Sequence, residues 1–343
     1  MSGQDAPPNG RAQPKSRAGW RLRRTGVPRE NARVSAKSLI IDCDPGVDDA
    51  IALFLAFGSP ELDLIGITTV AGNVSAALTA RNARLIRQVA GREDVPVIAG
   101  ADRPLVRLPV EADHFHGESG LGRLPVFEPD APLAEGQAAD FIAAEVMRRP
   151  AGSVTLAVTG PMTNLALAFE REPALPARLA AVVAMGGARS EGGNITASAE
   201  YNIHADPHAA QAVAASGCRL VMLGLDVTHQ VRATPERIAR IAGVATPQAR
   251  AVADLLDFAV ETERRFVEGG APPLHDPCTI AYILRPDLFT TRPCRLEVET
   301  QSALTLGHTA VEFRVDPASA TCQWATWADA EAVFALITER LGA

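Results

Sequence analysis

The sequence predicts a single-domain α/β fold, layered around a mostly parallel central sheet, and three observations predict it. From residue 38 onward, apolar runs of four to eight residues alternate with longer amphipathic stretches. Some of these runs are apolar at consecutive positions, as in Leu64-Ile65-Gly66-Ile67 and Val182-Val183-Ala184-Met185, a pattern required of strands covered on both faces. No internal repeat or second linker breaks the pattern, so one domain spanning residues 38–343 follows.

The first strand, Ser38–Asp42, leads through a turn into a helix over Asp48–Phe57. A strand at Leu62–Thr69 is followed by a helix at Ala76–Ala90, whose apolar positions recur at helical spacing. Strands follow at Val95–Ala99, Val154–Val158, Ala181–Met185 and Arg219–Leu223, interleaved with helices at Ala138–Arg149, Asn164–Arg171 and Pro207–Ser216. Beyond Thr228 the segments lengthen. Pro235 and Pro247 occupy first-turn positions, and a continuous helix is expected from Pro247 to about Glu268. Strands at Arg295–Val298 and Ala310–Val315 and a helix at Asp329–Leu341 complete the chain.

The overall charge of −7 conceals a division. Residues 1–37 carry nine Lys/Arg against Asp5 and Glu30, a net +7, which leaves −14 on the remainder. An acidic body without a basic helix repels a polyphosphate backbone, which argues against nucleic acid as substrate. No run reaches the roughly 18 apolar residues of a membrane span. Residues 1–37 read as a disordered basic tail, since Arg23-Arg24 is not followed by the apolar stretch of an export signal. Five cysteines, odd in number and without CxxC spacing, argue against a disulfide framework or a zinc-thiolate site and fit a reducing, cytoplasmic setting.

In open α/β sheets ligands collect outside the carboxyl ends of the strands. There the chain reads Asp42-Cys43-Asp44-Pro45-Gly46-Val47-Asp48-Asp49, then Ala71-Gly72-Asn73, Thr159-Gly160-Pro161 and Gly186-Gly187. Four aspartates in eight residues repel one another unless a cation compensates them, although one of Asp48 and Asp49 is also expected to cap the following helix. Oxygen donors dominate, so a hard ion, Ca²⁺ or Mg²⁺, suits the cluster better than Zn²⁺. Alternation along the strand puts Asp42 and Asp44 on one side and Cys43 in the core.

These segments are similar to the motifs of the inosine-uridine-preferring nucleoside hydrolases. Asp42 through Ala50 resembles the family's N-terminal signature, and five further segments agree in order and spacing: Ile67–Asn73, His114–Gly120, Met185–Gly187, Ala199–Asn202 and His275–Cys278. The resemblance spans roughly residues 38–340 and implies a Rossmann-like nucleoside hydrolase fold. It also implies Ca²⁺ as cofactor, held by Asp44, Asp49, the carbonyl of Thr159 and Asp276. Asp44 is then the base for a water on the metal, in a hydrolysis that releases ribose and free base through an oxocarbenium-like transition state. Ribose contacts carry over to Asp48, Asn73, Met185, Asn194, Glu200 and Asn202. His116 and His275, with Tyr201, match the base or leaving-group side, His275 being the candidate proton donor, and Asp42 supports the loop from behind. A ribonucleoside substrate, nucleoside salvage and a homo-oligomer, dimer or tetramer, are further implications.

Such chemistry demands negative charge near the sugar, an oriented water and a way to neutralise the departing base. Residues 117–122 form a Gly-rich loop suited to a lid. Where the family often carries base-contacting tyrosines, this chain reads Ala259-Val260-Glu261-Thr262-Glu263-Arg264-Arg265-Phe266, leaving the choice between purine and pyrimidine open. Two other readings remain at this stage: a phosphatase using Asp42-Cys43-Asp44 as an Asp-x-Asp nucleophile, and a non-catalytic nucleoside- or ribose-binding protein.

Overall fold

The computed structural model describes residues 36–110, 112–265 and 270–343; the basic tail and the expected end of the long helix near Glu268 lie outside the described residues. Among the described residues nine strands form one sheet: β1 Lys37–Cys43, β2 Leu62–Thr69, β3 Val97–Ala99, β4 Val154–Val158, β5 Ala181–Met185, β6 Leu220–Leu223, β7 Phe289–Val298, β8 Thr309–Glu312 and β9 Cys322–Ala328. Their order is β3-β2-β1-β4-β5-β6-β9-β7-β8. Pairing is parallel from β3 through β9, and β7 runs antiparallel to both its neighbours. The mostly parallel α/β fold read from the sequence is the one observed.

Alternation on β1 divides the core into two layers. Leu39, Ile41 and Cys43 face helices Val47–Phe57, Pro247–Glu263, Pro277–Leu284 and Ala330–Leu341, whereas Ile40 faces Ala138–Arg148, Thr163–Arg171 and Pro207–Ala215. Both faces are therefore apolar, and the central strands need no polar side.

The strand order reverses between β1 and β4, because the chain adds β2 and β3 on one flank and β5 and β6 on the other. A crevice opens at such a switch point, since the connections on either side depart in opposite directions. The segments that leave here are Asp44-Pro45-Gly46 after β1 and Thr159-Gly160-Pro161 after β4.

The carboxyl-terminal third departs most from expectation. Strand β7 begins at Phe289 rather than Arg295, with Pro293 paired opposite Gln323 beside the sheet's antiparallel border. Strand β9, which carries the fully buried Trp324, and helix Pro277–Leu284 were not expected. Strand β8 ends at Glu312, short of Val315, and the long helix ends at Glu263 with Arg264 as its C-cap. Among the described residues no helix is long and apolar enough to cross a membrane.

Candidate active site

The turn after β1 places carboxylates under the crevice. Helix Val47–Phe57 starts at the capping residue Gly46, whose amide donates to Asp49 Oδ2 at 3.0 Å. Asp49 thus serves as the capping acid anticipated for this helix and also lies in the cluster. Its Oδ2 accepts from Asn73 Nδ2 at 3.1 Å, and its Oδ1 accepts from the Thr159 hydroxyl at 2.8 Å. Asp44 Oδ2 accepts the Asn73 amide at 2.7 Å, while Asn73 Nδ2 also donates to the Asp44 carbonyl. Asp44 Oδ1 is buried and has no hydrogen-bond partner among the described residues.

The carboxylates that converge most closely are Asp48, Asp49 and Asp276, with one oxygen from each within 4.8 Å of the others. Asp276 arrives from the start of helix Pro277–Leu284. Asp44, Asp49 and Asp276 are fully or almost fully buried. Burial raises all three, Asp49 to about 7 and the other two well above the usual carboxylate range, and repulsion from neighbouring aspartates adds to it. The converging oxygens of Asp48, Asp49 and Asp276 form a donor set that fits a hard divalent cation; Asp44, expected among the ligands, lies outside this group of three, its buried Oδ1 without a partner among the described residues.

The carboxylates Asp48 and Asp276 also line a cleft, the kind of concave site where small molecules bind. Of the residues expected at the sugar, Asp48, Asn73, Met185, Asn194, Glu200 and Asn202 all line it, as do Thr159, Asp276, His116, Tyr201 and His275. Glu200 caps the short helix Tyr201–Ala205: its Oε1 accepts the Asn202 amide and its Oε2 those of Gly187 and Ile203. Burial raises its carboxyl to about 6. Asn202 Nδ2 donates to the Thr159 carbonyl at 2.7 Å and reaches Met185 O at 3.3 Å. Asn194 Oδ1 accepts the Tyr201 amide, and the Tyr201 hydroxyl donates to the Val110 carbonyl.

Two histidines also line the cleft. The Val47 amide donates to His116 Nδ1 at 3.1 Å, so Nδ1 is the acceptor and the neutral ring carries its proton on Nε2. His275 Nδ1 lies 2.8 Å from the Thr228 hydroxyl, and burial lowers its pKa to about 4.

Asp42 is fully buried and absent from the cleft wall; its Oδ1 accepts from Thr68 Oγ1 at 2.6 Å and Asn164 Nδ2 at 2.8 Å. With Asp42 enclosed in the sheet, an Asp-x-Asp nucleophile pair is not presented to a ligand. Cys43 is buried in the core, as alternation along β1 requires.

Several supporting residues were not singled out from the sequence. Asn82, fully buried, donates to the carbonyls of both Pro45 and Ser119, tying the aspartate turn to the Gly-rich loop. Its signal was a polar residue on the apolar stripe of helix Ala76–Val89. Asn164 and Thr228 act likewise behind Asp42 and His275. Ala112, Phe115 and Ile195 complete the cleft wall.

The profile of the inosine-uridine preferring nucleoside hydrolases matches residues 39–335. The chain belongs to this family. It is 40% identical over 308 residues to the inosine-uridine preferring nucleoside hydrolase of Crithidia fasciculata, covering 89% of this chain and 97% of that one. It is 45% identical over 280 residues to the pyrimidine-specific ribonucleoside hydrolase RihA of Salmonella agona, covering 81% and 89%. A purine-preferring ribonucleoside hydrolase from Gardnerella vaginalis superposes with a TM-score of 0.84 at 32% identity, covering 89% of this chain and 98% of that one. A plant nucleoside hydrolase superposes at 0.83 and 32%, covering 90% and 99%. This nucleoside hydrolase is therefore an enzyme acting on N-glycosyl compounds, from a metal-dependent family, and the phosphatase and binding-protein readings fall away.

Proposed function

We propose that the protein hydrolyses the N-glycosidic bond of ribonucleosides to ribose and free base with Ca²⁺ as its cofactor. The observation that carries this reading is the convergence of Asp48, Asp49 and Asp276, one oxygen of each within 4.8 Å of the others, near the buried Asp44 and at a cleft lined by polar side chains. Side chains of Asp44, Asp49 and Asp276 and the carbonyl of Thr159 hold the ion in this reading. When bound, a divalent cation neutralises the carboxylates, anchors the sugar diol and acidifies the attacking water.

The remaining work falls to the chain's own groups. Asp44, raised by burial and by Asp49, accepts the proton of the attacking water through Oδ1, the oxygen left without a partner. Asp48, Asn73, Asn194, Glu200 and Asn202 bond the sugar hydroxyls, with Met185 against the ring. Carboxylate charge beneath the sugar favours the cationic transition state. On the base side, His116 offers an Nε2 proton, and His275, oriented by Thr228, serves the leaving group, with Tyr201 beside them. Asp42 steadies β1 and the turn that follows. The setting we propose is cytoplasmic salvage by a homo-oligomer, supported by the family and by five free, buried cysteines.

Ribose release from uridine, cytidine, inosine and adenosine, with added Ca²⁺ and with chelator, tests the reading. Activity on at least one nucleoside, lost with chelator, is expected, as is a fall of about 10²- to 10⁴-fold in kcat for Asp44→Asn. No release from any of the four with Ca²⁺ present overturns it.

A further inference from the structure

Asn194 and Glu200 belong to the chain between β5 and helix Tyr201–Ala205, which leaves the sheet at Gly186-Gly187-Ala188. On the β6 side its backbone keeps partners: the Gly186 amide donates to the Leu223 carbonyl at 3.3 Å, and the Leu225 amide donates to the Gly187 carbonyl at 2.8 Å. The Gly187 amide instead donates to Glu200 Oε2 at 2.9 Å. Ala188 comes next and is 3% exposed, so its amide and its carbonyl both need partners beyond the end of the ladder between β5 and β6.

Thr309, the buried first residue of β8, supplies both. Its Oγ1 accepts the Ala188 amide at 2.9 Å and donates to the Ala188 carbonyl at 2.7 Å, a double role that a hydroxyl can fill with a single atom. Strand β8 stands four places from β5 in the sheet order, so no ladder pairing brings these residues together. The preceding residue, His308, fastens the far end of the same loop: its backbone bridges to Ala199, and its Nδ1 lies 3.0 Å from Ser198 Oγ. The loop that carries Asn194 is therefore held at both ends by two consecutive residues. Glu200, one residue beyond the second end, accepts the amide of Gly187, one residue before the first.

We propose that Thr309 is a positioning residue for the sugar site: by holding Ala188 it fixes the Gly187 amide against Glu200 and so sets the direction in which that carboxylate meets a ribose hydroxyl. The inference rests on the nucleoside hydrolase reading of the site, in which Glu200 bonds the sugar, and adds what keeps Glu200 in place. Thr309 does not line the cleft, so it acts only through the segment it holds. Valine in its place has nearly the same shape but makes neither bond, which leaves two buried backbone groups without their partner and lets the segment shift to find others. A displacement of about 1 Å at an orienting group costs on the order of 10²-fold in rate.

The test measures kcat/KM for ribose release from uridine and inosine in the full chain with Ca²⁺, below the melting temperature of every variant. Thr309→Val should lower it about 10- to 100-fold for a nucleoside that the wild type cleaves, and Thr309→Ser, which keeps the hydroxyl, should recover most of the loss. A double-mutant cycle separates positioning from a general loosening of the fold: in a Glu200→Gln background, adding Thr309→Val should cost less than about threefold more, because the group it positions is already impaired. Thr309→Ala enters the same cycle where Thr309→Val does not fold. Wild-type kcat/KM in Thr309→Val, an equal loss in Thr309→Ser, or losses that multiply in the cycle overturn the assignment of Thr309. Failure of the wild type to release ribose from any nucleoside would instead overturn the reading on which it rests.

Discussion

Two groups in the site carry free energy that the fold does not recover by itself. Asp44 is a buried acid with one oxygen unpartnered among the described residues, and Glu200 is a buried acid whose oxygens are both given to backbone amides of the chain that follows β5. For Glu200 the consequence is measurable. Its carboxyl sits at about 6 in the fold against 4.5 ordinarily. A raised carboxyl favours the protonated folded state, so this contribution is present below pH 4.5 and is lost as pH rises through 6. The shift corresponds to about 2 kcal/mol. In metal-free protein, Glu200→Gln should gain about 2 kcal/mol relative to wild type between pH 4 and pH 7, read by urea unfolding at the two values. A difference between the two proteins that does not change with pH would show that Glu200 ionises as readily in the fold as out of it.

The connections after β1, β2 and β4 are fitted to one another at atomic distance. A Cβ placed on Gly72 would stand 2.0 Å from Asp44 Oδ2, and one on Gly160 would stand 2.6 Å from Oδ1. The Asp44 carboxylate is thus held between two backbones that only glycine allows so close. Because the Asn73 amide also pins Oδ2, the side chain has little room to swing aside. Gly72→Ala is expected to lower stability by about 1–3 kcal/mol and to reduce ribose release more than tenfold. Thermal unfolding and the ribose assay check both, and wild-type values in both would mean the turn yields. Asn82 works over a longer span, joining Pro45 to Ser119 and so coupling the Gly-rich loop to the aspartate turn through one side chain.

At the scale of the whole molecule, the acidic cluster opposes folding until it is compensated. Asp44, Asp49 and Asp276 come from segments more than 200 residues apart in sequence and receive no ion pair from Lys or Arg among the described residues. A ligand that binds only the folded state stabilises it by about 2.7 kcal/mol at a hundred times its Kd. Addition of Ca²⁺ to chelator-treated protein should therefore raise Tm by roughly 5 °C or more. Calorimetry or a dye-based melt reads this directly, and an unchanged Tm would count against calcium at the site. In Asp49→Asn the rise should shrink, since the charge that draws the ion is reduced.

Much of this molecule is written in local patterns. The alternation of apolar runs with amphipathic stretches determined the parallel sheet because a strand buried on both faces has no polar side to show, and the clustered aspartates marked the segment after β1 as one that could hold a cation. Those signals are local, and they weaken where pairing is decided at long range. Strand β7, with Thr290, Thr291 and Pro293 in it, becomes a strand because β9 and β8 lie beside it, and the apolar helix Pro277–Leu284 could equally have been a strand until it packed against helix Val47–Phe57. Only the tertiary structure decided which oxygen of Asp44 lacks a hydrogen-bond partner among the described residues and which nitrogen of His116 accepts from Val47. Each of these depends on the atoms opposite, which the chain brings together from positions that no spacing in the sequence relates.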